Sequence, residues 1–176
     1  MQKITLILGG ARSGKSAFGE RLALSKNGKP IYIFTAQSFD EEMDERIRIH
    51  RGRRGKEAWQ DVEANIDLAS AVSKWSKKEN VILVDCLSLW LTNLMTNERN
   101  VDEDIHKFLS QLEKSSGEVI LISSEVGLGI VPDNKMARNF RDHLGFLHQQ
   151  VAAISKTVIM MVAGIPMFVK GQIELS

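Results

Sequence analysis

A glycine-rich loop between an apolar run and a helical pattern lies near the start of this 176-residue chain. The loop, GGARSGKS, consists of Gly9, Gly10, Ala11, Arg12, Ser13, Gly14, Lys15 and Ser16 and fits the phosphate-loop pattern G-x-x-x-x-G-K-S/T. Residues 3–8 before it read as a strand, and in residues 17–24 after it apolar residues recur at helical spacing. Because a phosphate loop joins a strand to a helix, this order predicts an α/β nucleotide-binding fold.

Each residue type in the loop is expected to make a different contact with a nucleotide. The glycines let backbone N–H groups wrap the phosphates, and the helix that follows directs its positive end at them. Lys15 is expected to reach the outer phosphates, and Ser16 to ligate Mg²⁺. The alternative is a glycine turn with only a structural role, which the flanking strand and helix patterns disfavour.

The rest of the chain alternates strand and helix patterns. Strands are predicted at residues 30–34, 59–63, 81–84, 118–123 and 157–162, and helices at 40–50, 67–77, 87–96, 101–114 and from near Pro132 to 154. Residues 165–175 are compatible with a terminal hairpin. The alternation predicts a mainly parallel sheet with helices on both faces and ligands at the carboxyl ends of the strands. No linker or repeat interrupts it, so a single domain is expected over residues 1–176.

Composition narrows the possible partners and location. The 23 Lys and Arg residues against 22 Asp and Glu leave a formal charge of +1, so neither a nucleic acid nor a membrane surface is indicated as a partner. Cys86 is the single cysteine and cannot form an intrachain disulfide, which favours a reducing, cytoplasmic location. The apolar stretch at 158–169 is interrupted by Gly164 and Pro166 and is shorter than the roughly 20 residues of a membrane helix. No membrane span is therefore expected.

Asp85 follows the apolar run VILV and so stands at the carboxyl end of a predicted strand. A carboxylate at that position suits the water shell of a phosphate-bound Mg²⁺. The alternative role for Asp85 is an N-cap for the helix predicted to begin near Leu87. Cys86 beside it is interpreted as a small buried hydrophobe rather than as a nucleophile.

His50 ends an acidic-to-basic helical segment and opens a cationic patch, Arg46, Arg48, Arg51, Arg53, Arg54 and Lys56. From the residues alone two roles stay open for His50: a core-edge histidine on a stripe with Met43 and Ile47, or a group beside bound phosphates. The patch has no interleaved aromatic residues of the kind that single-stranded nucleic acids stack on. The other histidines are expected to be structural, namely His106, His143 and His148.

Residues 123–132, SSEVGLGIVP, follow a further predicted strand and are expected on the ligand side of the sheet. Gly127 and Gly129 in this stretch do not complete a dinucleotide-binding fingerprint. Both an ordinary loop and a substrate-contacting loop fit the sequence here.

Together these motifs resemble the bifunctional adenosylcobinamide kinase/adenosylcobinamide-phosphate guanylyltransferase family of cobalamin biosynthesis. The resemblance runs in order over residues 4–169 and rests on the phosphate loop, TAQ at 35–37, the segment 40–50 that ends in His50, DCLSLWLTN at 85–93 and EVGLGIVP at 125–132. It implies a RecA-like phosphate-loop fold and a cytoplasmic homotrimer. It also implies two reactions. A nucleoside triphosphate, ATP or GTP, phosphorylates adenosylcobinamide, and GMP then passes from GTP to that phosphate through a guanylyl-histidine, giving adenosylcobinamide-GDP.

Carried over residue by residue, the resemblance implies that His50 is the guanylylated nucleophile and Lys15 a catalytic group of the kinase step. Mg²⁺ is assigned to Ser16 and Asp85. Nucleotide contacts beyond the phosphate loop are assigned to Thr35, Ala36, Gln37, Arg51, Gly52, Arg53, Arg54, Glu63 and Asp85. The chain departs from the family pattern at Ser124 and His148, where Asn is common. Two other interpretations stay open: a kinase-only relative acting on another small alcohol, and a RecA-like nucleic-acid-dependent ATPase or GTP switch.

Overall fold

The computed structural model describes residues 3–36 and 59–172. The strands within these ranges are β1 (Lys3–Gly9), β2 (Lys29–Phe34), β3 (Gln60–Glu63), β4 (Asn80–Asp85), β5 (Glu118–Ser124), β6 (Thr157–Val162) and β7 (Ile165–Lys170). The helices are α1 (Lys15–Leu24), α2 (Leu68–Trp75), α3 (Leu87–Thr96), α4 (Val101–Glu113) and α5 (Lys135–Ile154). The helix predicted at 40–50 and the loop predicted after it lie outside the described residues.

The strands form one seven-stranded sheet in the order β3-β2-β4-β5-β1-β6-β7. Neighbours from β3 to β6 are parallel, and β7 alone runs antiparallel to its neighbour β6. The register places Gly9 opposite Ser124, and Phe34 opposite both Asp85 and Glu63. The predicted mainly parallel α/β sheet is confirmed, and the carboxyl ends of its strands meet at one edge.

Alternate residues of the central strands supply two separate cores. In β4, Ile82 and Val84 pack into one core, and Val81 and Leu83 pack into the other. Helix α1 covers the Val81 side through Phe18, whereas α2, α3, α4 and α5 pack on the opposite face. A strand covered on both faces has no solvent side, which explains why residues 81–84 of β4 are all apolar.

N-cap hydrogen bonds define the first residue of a helix more closely than the apolar pattern of the sequence does. The Asp67 side chain accepts a hydrogen bond from the Ser70 N–H at 3.1 Å, and α2 begins at the next residue after Asp67. At α5 the Asn134 side chain accepts from the Ala137 N–H at 2.8 Å. Pro132 therefore precedes α5 and its cap rather than opening the helix.

The C-terminal hairpin consists of β6 and β7, joined by a turn at Ala163 and Gly164. Both turn residues adopt positive φ values, 51° and 82° respectively. Within the described residues, Ile165–Lys170 of the predicted tail is thus the second strand of a hairpin whose first strand is β6. Among the described helices, none has the length and apolar character needed to cross a membrane.

Candidate active site

The phosphate loop forms the turn between β1 and α1. Gly9 ends β1 in a crowded position, where an added Cβ would lie 2.6 Å from Ser13 Oγ and 2.7 Å from the Met161 carbonyl oxygen. Gly14 is the N-cap of α1 and has a φ of 92°, in the left-handed region that favours glycine. Both glycines of the motif are therefore required by the backbone path itself.

Ser13 lies buried inside the loop, and its Oγ has no hydrogen-bond partner in the part of the chain that the structure describes. A buried hydroxyl without a partner costs free energy, and such groups in native proteins need an explanation. The Gly164 N–H donates to the Ser13 carbonyl at 3.0 Å, so the β6–β7 turn contacts and stabilises the phosphate loop.

Lys15 begins α1 and is half-buried. Its Nζ donates to the Gly10 carbonyl at 2.6 Å, which spans the loop. Burial lowers the pKa of Lys15, while the negative forms of Cys86 and Asp85 act in the opposite direction. The fold thus brings Lys15 into electrostatic contact with the end of β4, where the sequence places the candidate metal carboxylate.

The Asp85 carboxylate is held by the neighbouring strand β2. The Tyr32 hydroxyl donates to Asp85 Oδ2 at 3.0 Å. The N-cap of α3 is Cys86, without a side-chain capping bond, so the alternative role of Asp85 as a cap is excluded. Ser16 and Asp85 offer hydroxyl and carboxylate oxygens, the donors that Mg²⁺ takes in phosphate sites, so the residues present fit this metal. Their metal role stays a prediction.

Cys86 is buried directly after β4. Burial, reinforced by the charge of Asp85, raises the pKa of the Cys86 thiol to about 11. A thiol that stays protonated at neutral pH is a poor nucleophile. Its Sγ lies 3.0 Å from Ser88 Oγ. The interpretation of Cys86 as a small buried residue is confirmed.

Thr35 is fully buried just beyond β2, and its polar groups are all used within the protein. Its Oγ1 accepts from the Cys86 N–H at 3.0 Å and donates to the Cys86 carbonyl at 2.7 Å. Its N–H donates to the Asp85 carbonyl, and its own carbonyl accepts from Asn93 Nδ2 at 2.7 Å. Thr35 therefore positions the backbone around Asp85, and its direct contact with a nucleotide stays a prediction.

Asn93 supports the site, although its place in the motif at 85–93 did not by itself assign it a role. It is 2% exposed, and its Nδ2 also donates to the Asn65 carbonyl at 3.0 Å. Through these two bonds α3 is tied to the ends of both β2 and β3. The sequence signal that identifies it is an amide within a largely apolar helix, because buried polar groups require partners.

The other predicted contacts are only partly covered by the described residues. Ala36 follows Thr35 and is half-buried. Glu63 ends β3 at the same edge of the sheet, and its Oε1 accepts from Asn65 Nδ2 at 2.8 Å. Outside the described residues lie Gln37, His50, Arg51, Gly52, Arg53 and Arg54, whose roles stay predictions.

The end of β5 adjoins the phosphate loop. The Glu125 N–H donates to the Gly9 carbonyl at 2.9 Å. Below this point, His148 Nε2 of α5 lies 2.7 Å from Ser123 Oγ. Burial lowers the pKa of His148 to about 4, although the charge of Glu125 acts in the opposite direction. A neutral histidine that joins α5 to β5 fits the structural role expected of it.

Comparison with known proteins agrees with this geometry. The family model described as cobinamide kinase/cobinamide phosphate guanyltransferase matches residues 5–169. The bifunctional adenosylcobalamin biosynthesis protein CobP of Pseudomonas aeruginosa is 43% identical over 169 residues, which cover 95% of this chain and 97% of the relative. The proteins named CobU of Escherichia coli and Salmonella typhimurium are each 33% identical to this chain, and each match covers 94% of this chain and 98% of the relative. The chain therefore belongs to the cobinamide kinase/cobinamide phosphate guanyltransferase family, which has the fold of phosphate-loop nucleotide-binding proteins.

Proposed function

We propose that this protein phosphorylates the aminopropanol hydroxyl of adenosylcobinamide and then transfers GMP from GTP to that phosphate, forming adenosylcobinamide-GDP. The observation that carries the proposal is the family match over residues 5–169, which includes a preformed phosphate loop. The relatives named bifunctional match over nearly the whole chain, which favours two activities over a kinase-only enzyme. The same match disfavours a nucleic-acid-dependent ATPase.

In the kinase step the phosphate loop binds the outer phosphates of ATP or GTP. The loop amides and Lys15 offset the charge of these phosphates, and the substrate hydroxyl attacks the γ-phosphorus while the nucleoside diphosphate leaves. Ser16 and Asp85 are the residues proposed to hold Mg²⁺, which when bound supplies further positive charge to the phosphates. Tyr32 and Thr35 support this step indirectly, because the Tyr32 hydroxyl bonds the Asp85 carboxylate and the Thr35 N–H bonds the Asp85 carbonyl.

In the guanylyl step we assign the nucleophile to His50. A neutral imidazole nitrogen attacks the α-phosphorus of GTP, and pyrophosphate leaves. An oxygen of the adenosylcobinamide phosphate then attacks the same phosphorus, and the bond to His50 breaks. Arg51, Arg53 and Arg54 are proposed to offset the phosphate charge in both displacements. These assignments rest on the family resemblance, since all four residues lie outside the described part of the chain.

Labelling with GTP tests the guanylyl step. We expect denatured wild-type protein to retain label from α-labelled but not γ-labelled GTP, and the adduct to be lost in acid and kept in base, as a histidine phosphoramidate is. His50→Ala should not label yet should still phosphorylate adenosylcobinamide. His106→Ala, which removes an exposed histidine of α4, is the matched control and should label normally. Labelling of His50→Ala at the wild-type level would refute the assignment. A Lys56→Ala variant separates a lysyl adduct, which shares the acid lability.

The kinase step has its own variant. Lys15→Ala should abolish phosphorylation of adenosylcobinamide while the circular dichroism spectrum stays native, because Lys15 lies at the loop and contributes to neither core. Loss in Lys15→Ala and retention in His50→Ala would assign the two activities to separate groups. Wild-type kinase activity in Lys15→Ala would exclude residues 9–16 as the kinase phosphate site.

We also propose that the protein assembles as a homotrimer. Apart from the family resemblance, support comes from strand β7, which exposes Ile165 by 65%, Met167 by 54% and Val169 by 68% at one edge of the sheet. An exposed apolar edge strand of this kind is normally covered by another chain. Sedimentation equilibrium should give three times the mass of 19.7 kDa.

A further inference from the structure

The chain between Glu125 and Asp133 exposes an unusual amount of apolar surface. We call residues 126–132 the apolar loop; it contains no charged residue. Val126 is 38% exposed, Leu128 82%, Ile130 97% and Val131 57%. Contiguous exposed apolar surface of this kind commonly marks a binding site.

Hydrogen bonds at both ends hold the apolar loop in shape. The Glu125 carboxylate accepts from the Gly127 N–H at 2.6 Å and from the Leu128 N–H at 3.2 Å. At the other end, Arg138 Nη1 donates to the Pro132 carbonyl at 3.0 Å and to the Asp133 carbonyl at 2.6 Å. The exposed side chains thus project from a loop that is anchored before any ligand arrives, which lowers the entropic cost of binding.

The apolar loop begins directly beside the phosphate loop. The Glu125 N–H is bonded to the Gly9 carbonyl, and Ser124 pairs with Gly9 in the sheet. An extended chain covers at most about 3.5 Å per residue, so Ile130 lies within roughly 20 Å of Gly9. This surface is therefore within reach of a substrate that reacts at the phosphate loop and extends beyond it.

We propose that the apolar loop binds the corrin macrocycle of the substrate, an inference that rests on the proposed function. The reacting hydroxyl of adenosylcobinamide sits on a side arm, whereas the macrocycle is a large ring whose conjugated core and methyl substituents are apolar. When the hydroxyl reaches the outer phosphates near Lys15, the ring lies outside the phosphate loop. Leu128 and Ile130 give that ring an apolar contact, which the polar phosphates of a nucleotide do not need.

Equilibrium dialysis of adenosylcobinamide, followed by the visible absorbance of the corrin, tests this inference. Leu128→Ser and Ile130→Ser should each weaken corrinoid affinity about tenfold, which corresponds to about 1.4 kcal/mol. The affinity for GTP should stay unchanged in both variants. Leu24→Ser is the matched control, because Leu24 is 40% exposed and ends α1, about 15 Å from the phosphate loop. It should bind the corrinoid as wild type does.

Each other outcome has a distinct meaning. Unchanged corrinoid affinity in both loop variants overturns the inference, and so does a parallel loss of GTP affinity, which would assign the loop to support of the phosphate loop. A lower mass of the variants in sedimentation velocity would assign the loop to contacts between copies of the chain and also overturns it. Wild-type protein that binds GTP but no corrinoid would refute the proposed function itself.

Discussion

Replacing Thr35 with valine separates a positioning role from direct nucleotide contact. Valine keeps the shape of the buried side chain and removes only the hydroxyl, which bonds both the N–H and the carbonyl of Cys86. The Cys86 carbonyl keeps a second donor, the Trp90 N–H at 3.2 Å. The main loss is therefore a single buried N–H without its partner.

The magnitude follows from that one unpaired group. A buried backbone donor left unsatisfied costs about 1–3 kcal/mol, so we expect Thr35→Val to lower the free energy of unfolding by about 2 kcal/mol. For a domain of this size, that corresponds to a fall in Tm of about 4–8 °C. Thr35→Ser keeps the hydroxyl and deletes one buried methyl group, which costs about 1 kcal/mol. Serine should therefore be the more stable of the two variants.

Thermal unfolding followed by circular dichroism measures both variants, and GTP affinity is measured on the same samples below the transition. A Thr35→Val protein that is as stable as wild type, or more stable than Thr35→Ser, would refute the argument. If stability is unchanged and GTP affinity falls, Thr35 contacts the nucleotide directly. If stability falls by this amount, the Thr35 hydroxyl acts through the Cys86 backbone that follows Asp85, and the Mg²⁺ concentration for half-maximal kinase activity should rise with it.

Three further variants test the rest of the site. Asp85→Asn should keep a Tm close to wild type, because an amide oxygen still accepts from Tyr32, and should raise the Mg²⁺ concentration for half-maximal kinase activity; an unchanged Mg²⁺ dependence would contradict the metal role. Gly9→Ala should lose about 1–3 kcal/mol of stability and most of its nucleotide affinity, since the added Cβ meets Ser13 Oγ at 2.6 Å; calorimetry and GTP titration measure the two effects. The pKa of His148 is lowered to about 4 in the folded protein, so the folded state binds fewer protons than the unfolded state between about pH 6.5 and 4. Stability from His148 is therefore fully present above pH 6.5 and declines by up to about 3 kcal/mol as the pH falls to 4. Urea titrations of His148→Asn should show a flatter decline, and identical slopes would argue against burial as the cause.

The sequence by itself determined the elements and the identity of the phosphate site. The run VILV at residues 81–84 is apolar without alternation because β4 is covered on both faces, and that property is visible in consecutive residues. The phosphate loop is equally local, since its glycines, lysine and serine act within one turn between β1 and α1. The bounds of α3, Leu87–Thr96, agree with the predicted helix residue for residue, because the helical pattern is also a property of consecutive residues.

The tertiary structure decided which partners these residues have. Both a metal role and the alternative cap role for Asp85 fit the sequence, and only the sheet order, which places β2 beside β4, gives its carboxylate the Tyr32 hydroxyl. The same order buries Thr35 against Cys86, and the β6–β7 hairpin brings Gly164 to the phosphate loop. Periodicity along a chain reports which side of an element is buried. It carries no information on which distant element covers that side, because strand neighbours are chosen by the packing of the whole sheet.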